Sequence, residues 1–347
     1  MKTILFKIQQ FPHLSETFIL NQITMAIDFG YDVKILVKDV LDFEKSTHLE
    51  LLKEYNIADK IIYDHYNIPN SKFLRLIKAG LILCRRSGWS QIITFIKLKS
   101  KFSLTWFYEW DFYRQFRNTD IIHVQYGTNV HPVDFLKKTG FLHGKLIVSF
   151  HGHDAFFPIN GFIQNEGYYD HLFAGDNMIV ANTPYLTNKI KELGCPKENL
   201  LTVPVPVDTE YFNYSGFANK NNNCLQLITV GRLDPIKGHS LAINFIKSLQ
   251  GKGIDVNLII VGEGAEIKRL KKQIAELSLE DRIAIAGRKS QKEVRELLRE
   301  SDIYIFTGIP VSGGRRETQG LATLEAQACG LPVLAFDTGG VKYTIKE

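Results

Sequence analysis

The sequence predicts an α/β protein of two doubly wound parallel-sheet domains facing a central cleft, and three observations carry that prediction. The chain has 347 residues, beyond the ~250–300 at which a single hydrophobic core stops growing. Short apolar runs alternate with amphipathic stretches, the pattern of strand and crossover helix. The alternation occurs twice, on either side of a polar, turn-rich stretch at 211–223 that holds Gly216 and three consecutive asparagines.

The first set of elements occupies 1–208. Strands are expected at 3–8, 33–37, 121–125, 146–150 and 178–181, each a run of β-branched and other apolar residues, followed by a helix at 184–193. Residues 209–224 read as a linker, and 225–347 as the second domain. Its strands are expected at 225–230, 257–261, 282–286, 302–306 and 332–335, with helices starting at Ser240, Ala265, Gln291 and Gly320. In open sheets of this kind ligands bind outside the carboxyl ends of the strands, so the cleft between the two domains is the expected active site.

Composition narrows the class. The excess of five positive charges is modest and no recognised nucleic-acid module accompanies it, which argues against a nucleic-acid partner. Cys84, Cys195, Cys224 and Cys329 are scattered without a C-x-x-C pair, so reduced thiols in a cytoplasm are expected, with no disulfide or zinc framework. The opening Met1-Lys-Thr-Ile-Leu-Phe-Lys-Ile8 is apolar for too few residues to be a signal core or a membrane span and reads as a first buried strand. No metal site and no cofactor are expected.

The stretch Glu317-Thr-Gln-Gly-Leu-Ala-Thr-Leu-Glu325 is the most informative in the chain. On one continuous helix its two carboxylates would stand ~12 Å apart. Gly313, Gly314, Thr318 and Gly320 argue instead for a loop carrying Glu317 and a helix starting near Gly320, with Glu325 early in it. The free N–H groups and positive dipole end of that helix suit an anion such as a diphosphate. Taken alone, Glu317 is equally a loop cap and Glu325 an ordinary helix acid, and two carboxylates also suit a glycoside hydrolase. Arg232 and Lys237 distinguish these readings. Arg232 follows a strand by one glycine, Gly231, and Lys237 lies a turn later beside Pro235 and Gly238. Two cations at that edge stabilise a leaving diphosphate more than the bound ground state, a role otherwise filled by a divalent metal. Val261-Gly-Glu-Gly264 lacks the third glycine of a dinucleotide fingerprint, since Ile267 stands there, and reads as a tight strand-to-helix turn.

Val230-Gly-Arg-Leu-Asp-Pro-Ile-Lys-Gly238, the Glu317–Glu325 pair, Cys329-Gly-Leu-Pro-Val333 and Gly339-Gly340 together resemble the C-terminal half of a retaining glycosyltransferase of family four. The resemblance covers about 225–340. It extends to the N-terminal half through Phe11-Pro-His-Leu-Ser-Glu-Thr-Phe-Ile-Leu-Asn-Gln22, similar to the opening of the colanic-acid and exopolysaccharide branch, and through Val148-Ser-Phe-His-Gly-His-Asp154, similar to its central histidine motif. The fold it implies is GT-B, two Rossmann-like domains. The chemistry it implies is transfer of a hexose from a UDP- or GDP-sugar to a hydroxyl of a bacterial surface glycan or a polyprenyl-diphosphate-linked acceptor, with retention of configuration. A catalytically weak sugar-nucleotide binder assisting another transferase is the alternative.

By the same resemblance, Gly231, Arg232 and Lys237 serve the donor phosphates, the backbone of Gly320 and Leu321 meets a phosphate, Glu325 holds the ribose hydroxyls, and the Arg288 loop reads the base. Glu317 contacts the transferred hexose. The glycine often found after the first Glu is replaced by Thr318, so hexose specificity does not carry over. In the first domain His151 is expected to hydrogen-bond the transferred sugar. Ser15 is a plausible N-cap of the helix that follows. Glu16 stands where many relatives carry glycine and either places a carboxylate near the reacting sugar or complements the helix dipole. His123, His153 and Asp154 are expected on the acceptor side, with loop orientation or core packing as their other readings.

From Ser71 to Lys101 the chain carries eight Lys and Arg and no acid, interleaved with Phe73, Leu74, Leu76, Ile77, Leu81 and Trp89. This block suits peripheral contact with an anionic membrane at its cytoplasmic face; a helix pair with its apolar side in the core and its lysines solvated is the plainer alternative. Relatives continue beyond Gly339-Gly340, usually with an acid soon after, where this chain has Tyr343. The second domain therefore reads as incomplete.

Overall fold

A computed structural model describes every residue except 14, 15, 47, 85–88, 100, 101, 215, 217–223, 346 and 347. The chain divides into two compact units. Met1–Ala155, Ile163–Ala181 and Ile190–Leu201 form the first, and Phe156–Phe162, Asn182–Lys189 and Thr202–Glu347 the second.

The first unit is built on seven strands: β1 (Thr3–Phe11), β2 (Asp32–Val40), β3 (Ile61–Tyr63), β4 (Ile121–Gln125), β5 (Lys145–Phe150), β6 (Met178–Ala181) and β7 (Leu200–Thr202). Their order is β3-β2-β1-β4-β5-β6-β7. β1 pairs in parallel with β2 on one side and β4 on the other, so strand order reverses there and the carboxyl ends of β1 and β4 flank a topological switch point. Five consecutive buried residues in β1 reflect a strand covered on both faces. Every strand expected here forms. β1 and β2 extend further at their carboxyl ends, and the three-residue β3 and β7 are additional.

The second unit holds β8 (Leu225–Val230), β9 (Val256–Val261), β10 (Ile283–Gly287), β11 (Ile303–Phe306) and β12 (Val333–Ala335) in the order β10-β9-β8-β11-β12. All four pairings are parallel. Neighbouring residues point to opposite faces, so Leu227 joins Ala242, Ile243 and Ile246 of the helix His239–Gly251. Ile228 joins Leu298 and Ala326 of the helices Gln291–Glu300 and Leu321–Ala328. Helices on both faces make this a doubly wound sheet. The helix expected at Ala265 begins at Ile267, after a turn in which Gly262 N–H donates to Gly287 O at 2.8 Å. Residues ahead of β8 pack on this unit as well: Phe212 is buried in its core, and the Arg295 guanidinium lies 4.4 Å from the Tyr211 ring centre.

Candidate active site

In the second unit three loops converge at the carboxyl edge of the sheet. The first follows β8. Asp234 caps the turn Pro235–Lys237 by accepting from Ile236 N–H at 3.1 Å, and Gly238 closes it with a left-handed φ of 67°. Thr307, just after β11, donates its hydroxyl to Gly238 O at 2.8 Å and ties the first loop to the second. The third loop, after β12, returns through Gly340, whose N–H donates to Glu317 O at 2.8 Å.

The ties bring Lys237 to Glu317. Lys237 Nζ donates to Glu317 Oε2 at 2.5 Å, with both side chains mostly buried, and the ammonium lies 5.8 Å from the Phe306 ring centre. Burial alone would raise the Glu317 pKa. The cation of Lys237, its hydrogen bond and the N–H groups of Gln319 and Thr318 outweigh burial and hold this carboxyl below its usual range. Glu325 has the opposite balance. Burial pushes it up to about 7, opposed only by the more distant field of Lys237. Two carboxyls from one short segment thus titrate far apart, which is a mark of functional sites.

Glu325 lies in the helix Leu321–Ala328, and Gly320 is its N-cap at φ 81° and ψ 61°. Thr323 fastens this start by donating Oγ1–H to Gly320 O at 2.5 Å. The first-turn amides lie outside the helix's own hydrogen-bond ladder and carry its positive dipole end. Arg232 is exposed on the first loop, and among the described residues its guanidinium has no ion-pair partner. Arg288 is exposed after β10, beside Gly287.

Thr318 and Gln319, which occupy the variable positions of the motif, are buried ties. Thr318 O accepts from Thr183 Oγ1 at 2.6 Å. The Gln319 amide exchanges two hydrogen bonds with the backbone of Val205, accepting at 3.1 Å and donating at 2.7 Å. Thr183 and Val205 carry no local sequence signal for these ties, because the partners lie more than a hundred residues apart.

In the first unit a polar chain runs along the ends of β4 and β5. His151 Nε2 donates to Gln125 Oε1 at 2.8 Å. The Gln125 amide donates to Gln22 Oε1 at 2.8 Å and stands 3.4 Å from His123 Nε2, which pairs with Ser149 Oγ at 2.8 Å. Gln125 is fully buried. With its oxygen toward His151, the neutral ring must carry its proton on Nε2. Burial lowers His123 to about 4; burial, then the fields of His123 and His153, lowers His151 to about 3. Both rings are neutral at physiological pH. His123 and Gln125 are two apart on one strand and so share a face, a signal from which the pairing was readable.

Tyr126 organises the remaining groups. It adopts a φ of 68°, donates its hydroxyl to Glu16 Oε1 at 2.7 Å, and packs its ring 4.6 Å from His151 and 4.9 Å from His153. Glu16 is the N-cap residue of the helix Thr17–Asp28 but makes no side-chain cap bond; its carboxylate is engaged by Tyr126 instead. Ser15 lies outside the described residues. Asp154 is sealed rather than presented to an acceptor. Fully buried, it accepts from the N–H groups of Gly127, Gly152 and His151 at 2.8, 2.8 and 3.1 Å and so clamps two loops. Burial raises its pKa against the field of His153 and these donors.

A switch-point sheet with a cation–carboxylate pair and a glycine-started helix at its edge suits an anionic ligand such as a diphosphate. Residues 213–347 match the family model described as Glycosyl transferases group 1. Over those residues the chain is similar to that group, and its fold is GT-B. It is similar to the amylovoran biosynthesis glycosyltransferase AmsK of Erwinia amylovora, at 28% identity over 99% of this chain and 84% of that one. WcaL of Escherichia coli strain K12, named for colanic acid biosynthesis, is 26% identical over 98% of this chain and 84% of its own. Among solved structures, Anabaena Alr3699/HepE in complex with UDP and glucose has the same fold, with a TM-score of 0.68 at 17% identity over 100% of this chain and 84% of that one.

Proposed function

We propose that the chain moves a hexose from a nucleoside-diphosphate sugar to a hydroxyl of a bacterial exopolysaccharide or its lipid-linked precursor, with retention of configuration. The observation that carries this is the Lys237–Glu317 pair, held 2.5 Å apart at the foot of the helix that bears Glu325. A fixed ammonium at that point meets the charge that grows on a departing diphosphate, with Arg232 as the second cation. Leu321 and Gly320 offer backbone N–H groups to the same phosphates. Glu325 accepts from the two ribose hydroxyls, and Glu317 holds the hexose. In the first unit, the unprotonated Nδ1 of His151 accepts from a hydroxyl of the sugar or acceptor, and Glu16 is linked to that ring through Tyr126.

The retaining step we favour is a same-face substitution. The C1–O bond to the diphosphate breaks, the acceptor oxygen bonds to C1 from that side, and its proton passes to the departing phosphate oxygen. Such a step needs no strong general base. The names AmsK and WcaL support a surface-glycan product, and the UDP and glucose bound by the Anabaena protein support a UDP-sugar donor, with GDP-sugar as the other donor to test. The four cysteines form no disulfide with one another, which suits the cytoplasm as the compartment.

Calorimetry against UDP-, GDP- and ADP-sugars tests the donor. One of them should bind, and Arg232→Ala and Glu325→Ala should each weaken it at least tenfold, the loss expected for a charged hydrogen bond of about 1.5–3 kcal/mol. If none binds, or both variants bind as the parent does, the reading fails.

A further inference from the structure

The helix Lys72–Cys84 shows its apolar side to solvent. Its buried residues are Ala79 and Ile82, whereas Phe73, Leu74, Leu76, Ile77 and Leu81 are 70, 54, 60, 45 and 62% exposed. Phe73, Ile77 and Leu81 succeed one another at i, i+4 and i+8 and form one stripe, with Leu74 and Leu76 on its flanks. A surface helix ordinarily turns such a stripe to the core. Left exposed and continuous, it marks an interaction surface.

Charge identifies the occupant. Around the helix axis Lys72 and Lys78 sit roughly 100° and 140° from Phe73, one on each side of the stripe. The whole block from Ser71 to Lys101 holds eight cations and no acid. Some of them are engaged: Lys99 pairs with Glu109 at 3.0 Å, Arg75 Nε donates to Pro69 O at 2.5 Å, and the exposed Lys78 donates to Asn67 O at 3.1 Å. Lys72 is exposed and, among the described residues, has no ion-pair partner. A second copy docked here about a two-fold axis would set like charges face to face. Nucleic acid would leave the apolar stripe uncovered. An anionic bilayer satisfies both features: the apolar chains enter the acyl boundary, and the ammonium groups stay at phosphate level on their alkyl stems.

We propose that the helix Lys72–Cys84 docks this chain, apolar stripe inward, on membranes rich in anionic lipid. The docking is independent of the donor chemistry, and the test needs no turnover. The full chain is floated with vesicles of phosphatidylcholine alone and with vesicles that also contain phosphatidylglycerol. Recovery should require the anionic lipid and decline with salt. Phe73→Ser combined with Leu81→Ser should lower partitioning on the order of tenfold or more. Lys72→Gln combined with Lys78→Gln should lower it about fivefold per charge at low salt. Thermal unfolding of both double variants should match the parent, since the altered side chains do not form the core. Equal recovery with both vesicle types, recovery with neither, or indifference to the substitutions overturns the proposal. So does a dimer seen by light scattering without vesicles that Phe73→Ser with Leu81→Ser dissolves.

Discussion

Lys237 has two duties, and a pair of substitutions separates them. It neutralises Glu317, and under the proposed chemistry it faces the departing diphosphate. Lys237→Met leaves a mostly buried carboxylate without its counter-ion. Removing one partner of a fully buried pair costs about 3–5 kcal/mol; with side chains 19% and 16% exposed, about 2 kcal/mol is expected. Adding Glu317→Gln removes the stranded charge and should restore most of that stability in urea unfolding. Transfer should not return. A fixed charge or donor at a developing anion contributes roughly 3 kcal/mol, or on the order of a hundredfold in rate, so nucleoside-diphosphate release should stay low in both the single and the double variant. Recovery of activity along with stability would mean that Lys237 only supports Glu317.

At the scale of the element, the helix Leu321–Ala328 is placed by its neighbours. Its burial is confined to Thr323 and Ala326, too little to fix its position, and the loops on either side supply the rest. Gly340 shows how close they run. Its φ is an ordinary −89°, yet a Cβ there would lie 1.7 Å from Thr318 O and 2.9 Å from Thr183 Oγ1. Gly320 is the reverse case: a Cβ there meets only side chains, tightly at 3.3 Å from Val341 and 3.4 Å from Thr323, but its φ is a left-handed 81°. Gly320→Ala should therefore cost the left-handed penalty of about 1–2 kcal/mol. Gly340→Ala should cost more, about 3 kcal/mol, because backbone must move, and it should loosen donor binding by displacing Glu317. Denaturant midpoints and calorimetry on the two variants compare them; Gly340→Ala no worse than Gly320→Ala would mean the loops yield freely. The start of this helix at Gly320 was legible, because a glycine followed by good helix formers is a local signal, and so were β4, β6 and β8, whose bounds match their apolar runs. The three-residue β3 and β7 were not, because their apolar runs are only two or three residues long. Neither was the Gln319–Val205 exchange, which spans 114 residues, nor the left-handed Tyr126 that gathers Glu16 and His151, since nothing in a tyrosine announces φ 68°.

For the whole molecule, the two units carry different titration balances, and acid should separate them. In the first unit burial lowers His123 to about 4, and burial with neighbouring histidines lowers His151 to about 3; burial also lowers His48. Each refuses a proton that the unfolded chain accepts near pH 6.5. Their contribution is complete above that pH and is lost as pH falls toward the folded values, by up to about 2 kcal/mol per ring at pH 5. Asp154, raised by burial, works in the opposite direction from the carboxylate range upward. In the second unit burial lowers His239 to about 4 and raises Glu325 to about 7. The folded carboxyl keeps a proton that the unfolded one releases above about 4.5, so its contribution declines as pH rises from there to 7. Between about 4.5 and 6.5 these two slopes oppose one another and nearly cancel. Hydrogen exchange on the intact chain, corrected for intrinsic rates, should therefore show β4 and β5 losing protection by tenfold or more between pH 7 and pH 5, while β8 and β9 hold. Glu325→Gln removes one half of the cancellation and leaves His239 unopposed, so in that variant β8 and β9 should begin to lose protection in acid as well. If they stay as protected as in the parent, the two groups do not offset one another, and the resistance of the second unit to acid has another origin.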